Sequence, residues 1–287
     1  MGNQSASKRI QGVTFIEEFA EPDEAIVSAL TDRMLHDENT NVRRTAVEVL
    51  TQEDYTKSLD GIEWIKIESK ADIIVRTHSE KQLRIKAKSS SKTPQKAKGL
   101  KLVGSGGSDN TDVGFYVVKE GNALIVRNLR KWNNGDGEIY LPANQNISVT
   151  TNGTSQSDIR IYGFKGEIEA NARLNGGIKI ENVSGPVTAN SLNGNIDISF
   201  ADVNQGSPIT VYSTNGALDI RLPEDTPTNL SIGSTNGEIY TNFELKFPEK
   251  NGLKSVSSQR VKQSLNGGGV QLQLKTTNGN IYLRKQE

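Results

Sequence analysis

The chain has 287 residues, which is enough for one large or two modest domains. Lysine plus arginine equals aspartate plus glutamate at 34 residues each, so net charge gives no reason to expect general attraction to nucleic acid or to a membrane surface. The absence of cysteine excludes disulfides, thiolate zinc sites, iron–sulfur clusters and cysteine nucleophiles. Aromatic residues are only 6% of the chain, while Gly, Asn, Ser and Thr are abundant, which favours many short strands and turns over packed helices.

No stretch of the sequence approaches the roughly 18 consecutive apolar residues that a membrane-spanning helix requires. Residues 1–20 also lack a basic start followed by the apolar run of a secretory signal peptide. The sequence as written therefore predicts neither a membrane span nor an export signal.

Residues 1–60 are predicted to form a short antiparallel helix pair. Apolar residues at helical spacing follow Pro22-Asp23-Glu24 as far as Leu35, and a second run of the same period extends from Asn41 to Leu50. From Glu17 to Asp60 there are twelve acidic residues against four basic ones, so the segment is acidic.

The second of these runs, with the turn before it, contains Asp37, Asn39, Val42-Arg43, Ala46-Val47 and Leu50. In these residues it resembles the second helix of a HEAT repeat. Only one such unit is present, and a single solenoid repeat cannot bury its apolar face alone. We therefore expect this unit to pack on a neighbour, which is either a further helical repeat or the β-domain.

Residues 61–287 are predicted to be a β-domain whose first part, residues 61–141, is less regular than residues 142–287. Between Arg76 and Lys101 nine basic residues face a single acid, Glu80. This run is either a patch for an anionic surface or, as we favour, a solvated edge that lysines keep from pairing. No aromatic residue lies between Trp64 and Phe115 to stack on bases, so no nucleic-acid partner is expected.

An internal repeat in residues 142–287 is marked by the dipeptide Asn-Gly. The dipeptide recurs at positions 152, 175, 193, 215, 236 and 278, with an additional Asn266-Gly267 before the last. The steps are 23, 18, 22, 21 and 42 residues, and we interpret the last step as two steps of 21. An apolar-polar-apolar pattern follows most of these corners, as in Ile178-Lys179-Ile180 and Ile196-Asp197-Ile198. The apolar residues are predicted to form an inward column.

Two architectures could use such a repeat. In a β-sandwich each Asn-Gly would close an antiparallel hairpin, whereas in a parallel solenoid each would turn a corner, and both uses would exploit positive φ. The near-constant step and the repeated side chains at each corner favour a single-stranded parallel β-solenoid, which we predict to be a right-handed β-helix. Its corner asparagines would bond to one another along the axis. Coils of about 21 residues would give roughly seven coils over about 35 Å in residues 142–287.

Several segments of the β-domain recur in one known family: Gly99-Leu100-Lys101-Leu102, Ser105-Gly106-Gly107, Asn182-Val183-Ser184-Gly185-Pro186-Val187, Ser257-Ser258-Gln259, Leu265-Asn266-Gly267-Gly268-Gly269 and Gly279-Asn280-Ile281-Tyr282-Leu283-Arg284-Lys285. In these segments the β-domain, over roughly Ile62 to Lys285, resembles the putative-adhesin β-strand-repeat family of Bacteroidetes, a domain of unknown function. The resemblance implies an exported protein of the cell envelope or periplasm with no catalytic residues. The chain differs from the family pattern in its HEAT-like segment and in the lack of a signal peptide.

No catalytic, cofactor-binding or metal-binding residues are predicted. The only histidines, His36 and His78, lie in different segments, and no phosphate-binding loop motif occurs. Asp197 and Asp219 occupy equivalent outward positions, which stacking would bring within about 5 Å, the separation of a cation site or a glycosidase pair. A pair of solvated carboxylates balanced by nearby bases is the simpler interpretation.

Five outward residues are candidate surface-binding positions. Tyr140, Tyr240 and Tyr282 are predicted to share the outward position of the two aspartates and could stack on sugar rings or contact a protein. The candidate set is therefore Tyr140, Asp197, Asp219, Tyr240 and Tyr282.

Three functions remain open from the sequence. The first is a non-catalytic envelope adhesion module that presents a repetitive solenoid surface to a surface, a polysaccharide or a protein. The second is a regulatory scaffold in an envelope-stress or sigma-factor circuit that acts through the HEAT-like helices. The third and weakest is a carbohydrate-active β-helix enzyme. The sequence does not fix the oligomeric state.

Overall fold

A computed structural model describes residues 5–19, 24–50, 54–87, 95–97, 100–104, 106–130, 137–245, 249–250, 253–254 and 260–286. The chain divides into two compact units by its internal contacts. One contains Met1–Asp54 with Lys86–Leu100, and the other contains Tyr55–Ile85 with Lys101–Glu287.

Three helices lie in the first unit, where the sequence predicted two. They are α1 (Ala6–Phe19), α2 (Glu24–His36) and α3 (Thr40–Leu50). The additional helix is α1, whose interior contains Gly12, a residue that disfavours helix. Because α2 and α3 cover the two runs that were predicted as helices, the error is an omission at the N-terminal side. The HEAT-like character of α3 stays a prediction.

Asp37 links the three helices. Its carboxylate accepts hydrogen bonds from Arg9 of α1 at 2.9 Å and from Arg33 of α2 at 3.4 Å, and its side chain is only 1% exposed. It also accepts the backbone N–H of Asn39 at 3.0 Å, just before α3 begins. Asn39 in turn caps α3 by accepting the N–H of Asn41 at 2.9 Å. The guanidinium of Arg9 lowers the pKa of Asp37 below its ordinary value.

The rest of the described chain is mainly β-structure. In chain order its strands are β1 Asp54–Ser58, β2 Trp64–Ser69, β3 Ile73–His78, β4 Gln82–Ala87, β5 Val103–Gly104, β6 Gly107–Ser108, β7 Phe115–Glu120, β8 Ala123–Asn128, β9 Gly137–Pro142, β10 Asn146–Thr151, β11 Ile159–Tyr162, β12 Ile168–Asn175, β13 Ile178–Val183, β14 Val187–Asn193, β15 Ile196–Phe200, β16 Ile209–Asn215, β17 Leu218–Leu222, β18 Thr228–Asn236, β19 Ile239–Thr241, β20 Glu249–Lys250, β21 Leu253–Lys254, β22 Arg260–Leu265, β23 Val270–Asn278 and β24 Ile281–Lys285. A single turn of 3₁₀-helix covers Gln95–Ala97.

Within the described residues, two ten-stranded sheets contain most of these strands. Sheet I has the order β1-β4-β9-β3-β11-β13-β15-β17-β24-β19, and sheet II has the order β22-β18-β23-β16-β14-β12-β10-β2-β8-β7. One coil consists of a strand of sheet II and the strand of sheet I that follows it, so β12–β13 and β14–β15 are successive coils. Equivalent strands of successive coils pair in parallel, for example β12 with β14 and β13 with β15. The fold is therefore solenoid-like, and the sense in which the coils wind stays a prediction.

The core lies between the two sheets. Along each strand the residues alternate between buried and partly exposed, as in β15, where Ile196, Ile198 and Phe200 are buried. This alternation with period two places one apolar column from each sheet inside the coils. The inward column predicted from the repeat is the one that the structure buries.

The order of the coils in the stack differs from their order in the chain. The coil β23–β24 lies between β16–β17 and β18–β19, so Asn236 is in register with Asn278. The 42-residue step is thus one coil spacing, and its interpretation as two coils is wrong. Six described coils, rather than seven, lie in residues 146–285. The coil β2–β3 is inserted in the same way between β8–β9 and β10–β11.

The sheets are also not purely parallel. At the two ends of sheet II, β7 pairs antiparallel with β8 and β22 pairs antiparallel with β18. A further short antiparallel pair, β20–β21, lies between β19 and β22 in the chain. The described strands β20, β21 and β22 therefore lie outside the parallel coil pattern.

Five of the six predicted Asn-Gly corners stack, and the corner at Asn152 lies outside the ladder, since Asn175 donates instead to the carbonyl of Thr154 at 3.0 Å. The Nδ2 of Asn193 donates to the Oδ1 of Asn175 at 3.2 Å, and Asn215 donates to Asn193 at 2.7 Å. Asn278 donates to Asn215 at 2.7 Å, and Asn236 donates to Asn278 at 2.8 Å. The corner asparagines from five coils thus form a continuous amide ladder.

The predicted reason for the corner glycines is wrong. None of the six corner glycines has a positive φ. A Cβ at each of these glycines would instead lie closer than 3.0 Å to a backbone carbonyl oxygen of the neighbouring coil. The six glycines are Gly153, Gly176, Gly194, Gly216, Gly237 and Gly279. Glycine is required at these corners because adjacent backbones approach closely.

Candidate functional site

The outward face of sheet I carries the five candidate residues predicted from the sequence. The first outward column contains one residue from each coil in register: Glu138, Ile74, Arg160, Lys179, Asp197, Asp219, Tyr282 and Tyr240. Four of the five candidates, namely Asp197, Asp219, Tyr282 and Tyr240, are therefore consecutive neighbours at one end of this column.

Tyr140 lies in the second outward column, two residues further along its strand. It is in register with Arg76, and its ring meets His78 edge-on at a centroid distance of 6.4 Å. Burial and then the nearby carboxylate of Glu138 raise the pKa of Tyr140. The predicted alignment failed because Gly137 occupies the inward position that holds isoleucine or leucine in most coils, where a Cβ would collide with the ring of Phe115.

Asp197 and Asp219 are directly opposite each other on β15 and β17. Both oxygens of Asp219 accept guanidinium hydrogen bonds, one from Arg284 at 3.0 Å and one from Arg221 at 3.3 Å. Burial, followed by repulsion from Asp219, raises the pKa of Asp197. Because Asp219 is already paired with two arginines, its geometry suits the positioning of those arginines better than metal binding. Among the described residues there is no group of three or more His, Asp or Glu side chains that could hold a metal ion.

Tyr240 and Tyr282 form a stacked pair at the edge of sheet I. Their ring centroids are 5.3 Å apart and their planes are 11° from parallel. The guanidinium carbon of Arg284 lies 5.2 Å from the centroid of the Tyr282 ring. The hydroxyl of Tyr240 donates to Glu238, which raises the pKa of Tyr240, and the hydroxyl of Tyr282 accepts a bond from Asn280 at 3.1 Å. We call Tyr240, Tyr282 and Arg284 the tyrosine platform.

The tyrosine platform borders an open groove of about 600 Å³. Arg221 and Lys285 also line it, so the groove combines two aromatic rings with three cationic side chains. Lys285 pairs with Glu224 at 2.6 Å, and the two arginines pair with Asp219, so each cation has a carboxylate partner. The groove can therefore offer guanidinium hydrogen bonds and an aromatic face without a large net charge.

The groove cations Arg221, Arg284 and Lys285 are not among the candidate residues predicted from the sequence. Arg221 and Arg284 follow Asp219 and Tyr282 by two residues, so strand alternation alone would have placed them on the same face. Lys285 gave no such signal, because it follows Arg284 directly.

None of the described helices is both long and apolar enough to cross a membrane.

Comparison with known proteins gives two similar solved structures and one family. A putative cell adhesion protein from Clostridium sporogenes ATCC 15579 is 12% identical with a TM-score of 0.40, and the match covers 82% of this chain and 100% of that one. A putative adhesin from Bacteroides fragilis NCTC 9343 is also 12% identical with a TM-score of 0.40, and covers 82% of this chain and 97% of its own. No curated protein matches. Residues 133–284, more than half of the sequence, match the family described as Toastrack DUF4097. The chain therefore belongs to the Toastrack DUF4097 family.

Proposed function

We propose that this chain is a non-catalytic adhesion-type module of the cell envelope that binds a polysaccharide through the tyrosine platform. The exposed ring of Tyr240 carries this proposal. It is 46% exposed, and β19, the strand that holds it, is the edge strand of sheet I in the described part of the chain.

The arrangement of the platform supports stacking on a sugar ring. Tyr240 stacks on Tyr282, and the guanidinium of Arg284 lies near the Tyr282 ring. Tyr240 is the more exposed of the two rings, and two arginines line the same groove and could donate hydrogen bonds to sugar hydroxyl or carboxylate groups. Aromatic rings that combine an apolar face with a hydrogen-bonding tip are typical of such contacts.

The surroundings of the two aspartates support a binding role rather than hydrolysis. A glycosidase needs one carboxyl group that is free to donate a proton and a second that is free to act as nucleophile or base. Asp219 already accepts two guanidinium bonds, and Asp197 has its nearest bases in Lys179 and Arg221. We infer that Asp219 fixes the arginines of the groove.

The test measures binding of the purified chain to a panel of soluble neutral and acidic polysaccharides by calorimetry. Loss of one stacking contact is worth about 0.5–1.5 kcal/mol, so Tyr240→Ala is expected to weaken binding about three- to tenfold. Tyr240→Phe retains the ring and should bind as the unmodified chain does. Tyr212→Ala, which removes an outward tyrosine from sheet II, is the matched control and should also leave binding unchanged.

Binding that Tyr240→Ala leaves unchanged, or that Tyr212→Ala weakens equally, would refute the platform as the binding surface. The envelope location has a separate test, since the native protein is expected in the envelope or periplasmic fraction of its cells. Recovery in the cytoplasmic fraction alone would contradict the adhesion role.

A further inference from the structure

The last coil in the chain is not the last coil in the stack. We call β23 and β24, Val270–Lys285, the C-terminal coil. It lies in a slot whose walls are the coils β16–β17 and β18–β19, and both walls precede it in the chain. The slot is therefore complete before the segment that fills it, and the C-terminal coil must be inserted between two existing neighbours.

The two walls of the slot bind the C-terminal coil through the same contacts. Asn278 donates to Asn215 on one wall and accepts from Asn236 on the other, at 2.7 and 2.8 Å. The residues Ile239 and Tyr240 of one wall are in register with Ile281 and Tyr282. Parallel pairing on both sides and the amide ladder depend on the coil sequence, so any chain segment with that sequence could form them.

The C-terminal coil also contributes a large part of the local core. Leu272, Leu274, Ile281 and Leu283 are each no more than 1% exposed. If the coil left its slot, these four side chains would become exposed to water. The backbone groups of β16 and β18 that face the slot would also lose their partners. An empty slot is thus a strongly unfavourable state, and it would be relieved by the same segment from any source.

The connection to the C-terminal coil is a turn closed by the bond from the N–H of Gly268 to the carbonyl of Leu265 at 2.9 Å, and we call this turn the hinge. Asn266, Gly267 and Gly268 have φ values of 49°, 86° and 83°, three consecutive residues in the left-handed region. Leu265 and Val270, on either side of this turn, both pair with Thr228, one at each edge of β18. The turn therefore carries the chain around the end of β18, from its outer edge to the slot.

We propose that the C-terminal coil is exchangeable and that the slot also accepts the C-terminal coil of a second copy of this chain, so that two copies are joined by reciprocal insertion. The contacts in the slot are the same whether the coil comes from the same chain, which we call the closed form, or from a second copy, which we call the exchanged form. Only the hinge has a different conformation in the two forms. A hinge that cannot pass around β18 will favour the exchanged form.

The geometry of the turn gives a sharp test. Leu265 and Val270 are separated by two strand spacings, roughly 9.6 Å on a straight line through β18. Deletion of Gly267 and Gly268 leaves three peptide units between them, which span about 10–11 Å when fully extended. Three extended peptide units are therefore too short to follow a path around the strand. The variant with this deletion in the otherwise complete chain should form a dimer. The matched control inserts two further glycines at the same place and should be a monomer.

Size-exclusion chromatography with light scattering measures the mass of both variants after refolding, and circular dichroism checks that each is folded. A folded dimer of the deletion variant beside a monomer of the insertion variant is the expected result. A folded monomer of the deletion variant would overturn the proposal, and so would dimers of both variants.

A second measurement does not require the deletion variant to fold. A protease site inserted after Gly267 in the full chain allows the hinge to be cut while the C-terminal coil stays in its slot. A labelled peptide of residues 270–286 should then replace the resident segment at one peptide per chain, as measured by native mass spectrometry. The same peptide with Leu274→Asp should fail to enter. No exchange of the unmodified peptide, or equal entry of the control peptide, would overturn the proposal.

Discussion

Replacement of a corner glycine tests whether close approach or backbone conformation requires glycine there. We choose Gly216, which lies in the middle of the regular coils. A Cβ at this position would fall closer than 3.0 Å to the carbonyl oxygen of Gly194 in the adjacent coil. The corner would have to open before Gly216→Ala could be accommodated.

The cost can be estimated from the hydrogen bonds that such an opening would stretch. Gly216 donates its N–H to the carbonyl of Asn278 at 3.0 Å, and Gly194 donates to Asn215 at 3.0 Å. Ala217 donates to the Oδ1 of Asn195 at 2.9 Å. Overpacking in a close-packed site costs about 1–3 kcal/mol, and each weakened hydrogen bond adds up to about 1 kcal/mol. We expect Gly216→Ala to lower the free energy of unfolding by about 2–4 kcal/mol.

Urea unfolding followed by circular dichroism measures this change. The control is Gly121→Ala, at a glycine with φ of 62° and no heavy atom within 4 Å of an added Cβ. That substitution meets backbone strain alone and should cost about 1 kcal/mol.

Gly216→Asn separates the two explanations. Asparagine tolerates positive φ better than alanine does, so a conformational requirement would make Gly216→Asn milder than Gly216→Ala. Close approach makes the two substitutions equally damaging or asparagine worse. A clearly milder effect of asparagine, or a cost of Gly216→Ala no greater than that of Gly121→Ala, would refute the close-approach explanation.

Two charged sites give further predictions. Arg9 lowers the pKa of Asp37, so the Asp37 carboxylate stabilises the folded helices at pH values above the ordinary aspartate pKa, and this stabilisation is lost as the pH falls. The melting temperature of Asp37→Asn should therefore lie below that of the unmodified chain at pH 7. The difference between the two melting temperatures should narrow towards pH 3. At Asp197 the sign is opposite, because burial and Asp219 raise its pKa and its ionisation destabilises the fold as the pH rises. Asp197→Asn should therefore stabilise the chain at pH 7 by about 0.5 kcal/mol or less after solvent screening, whereas Asp219→Asn, which weakens the bond from Arg284, should destabilise it. Thermal melts at several pH values check the predictions for both sites. Equal changes of melting temperature with the same sign for Asp197→Asn and Asp219→Asn would contradict the prediction for Asp197.

Local sequence was a poor guide where one residue interrupted a regular pattern. Gly137 stands at an inward position that is isoleucine or leucine in most coils, and the misalignment moved Tyr140 into the wrong column. The ring of Phe115 occupies the space that a Cβ at Gly137 would take, so the exception depends on a residue distant in the sequence.

The tyrosine platform shows the same division between local pattern and tertiary arrangement. The sequence placed Tyr240 and Tyr282 at equivalent outward positions but two coils apart. Their stacking at 5.3 Å exists because the C-terminal coil enters next to β19. The arginines of the groove come together for the same reason, since Arg284 of the inserted coil meets Asp219 of the preceding wall.

The sequence by itself determined the repeating unit of this protein: the strand alternation, the stacked Asn-Gly corners and the inward apolar column. Those features depend on side-chain direction and on the chemistry of a single coil, which each repeat specifies locally. Only the tertiary structure decided which coils are neighbours. Coils with the same pattern offer one another the same contacts, so their order is set by the connections between them and by the way the chain passes around the end of β18.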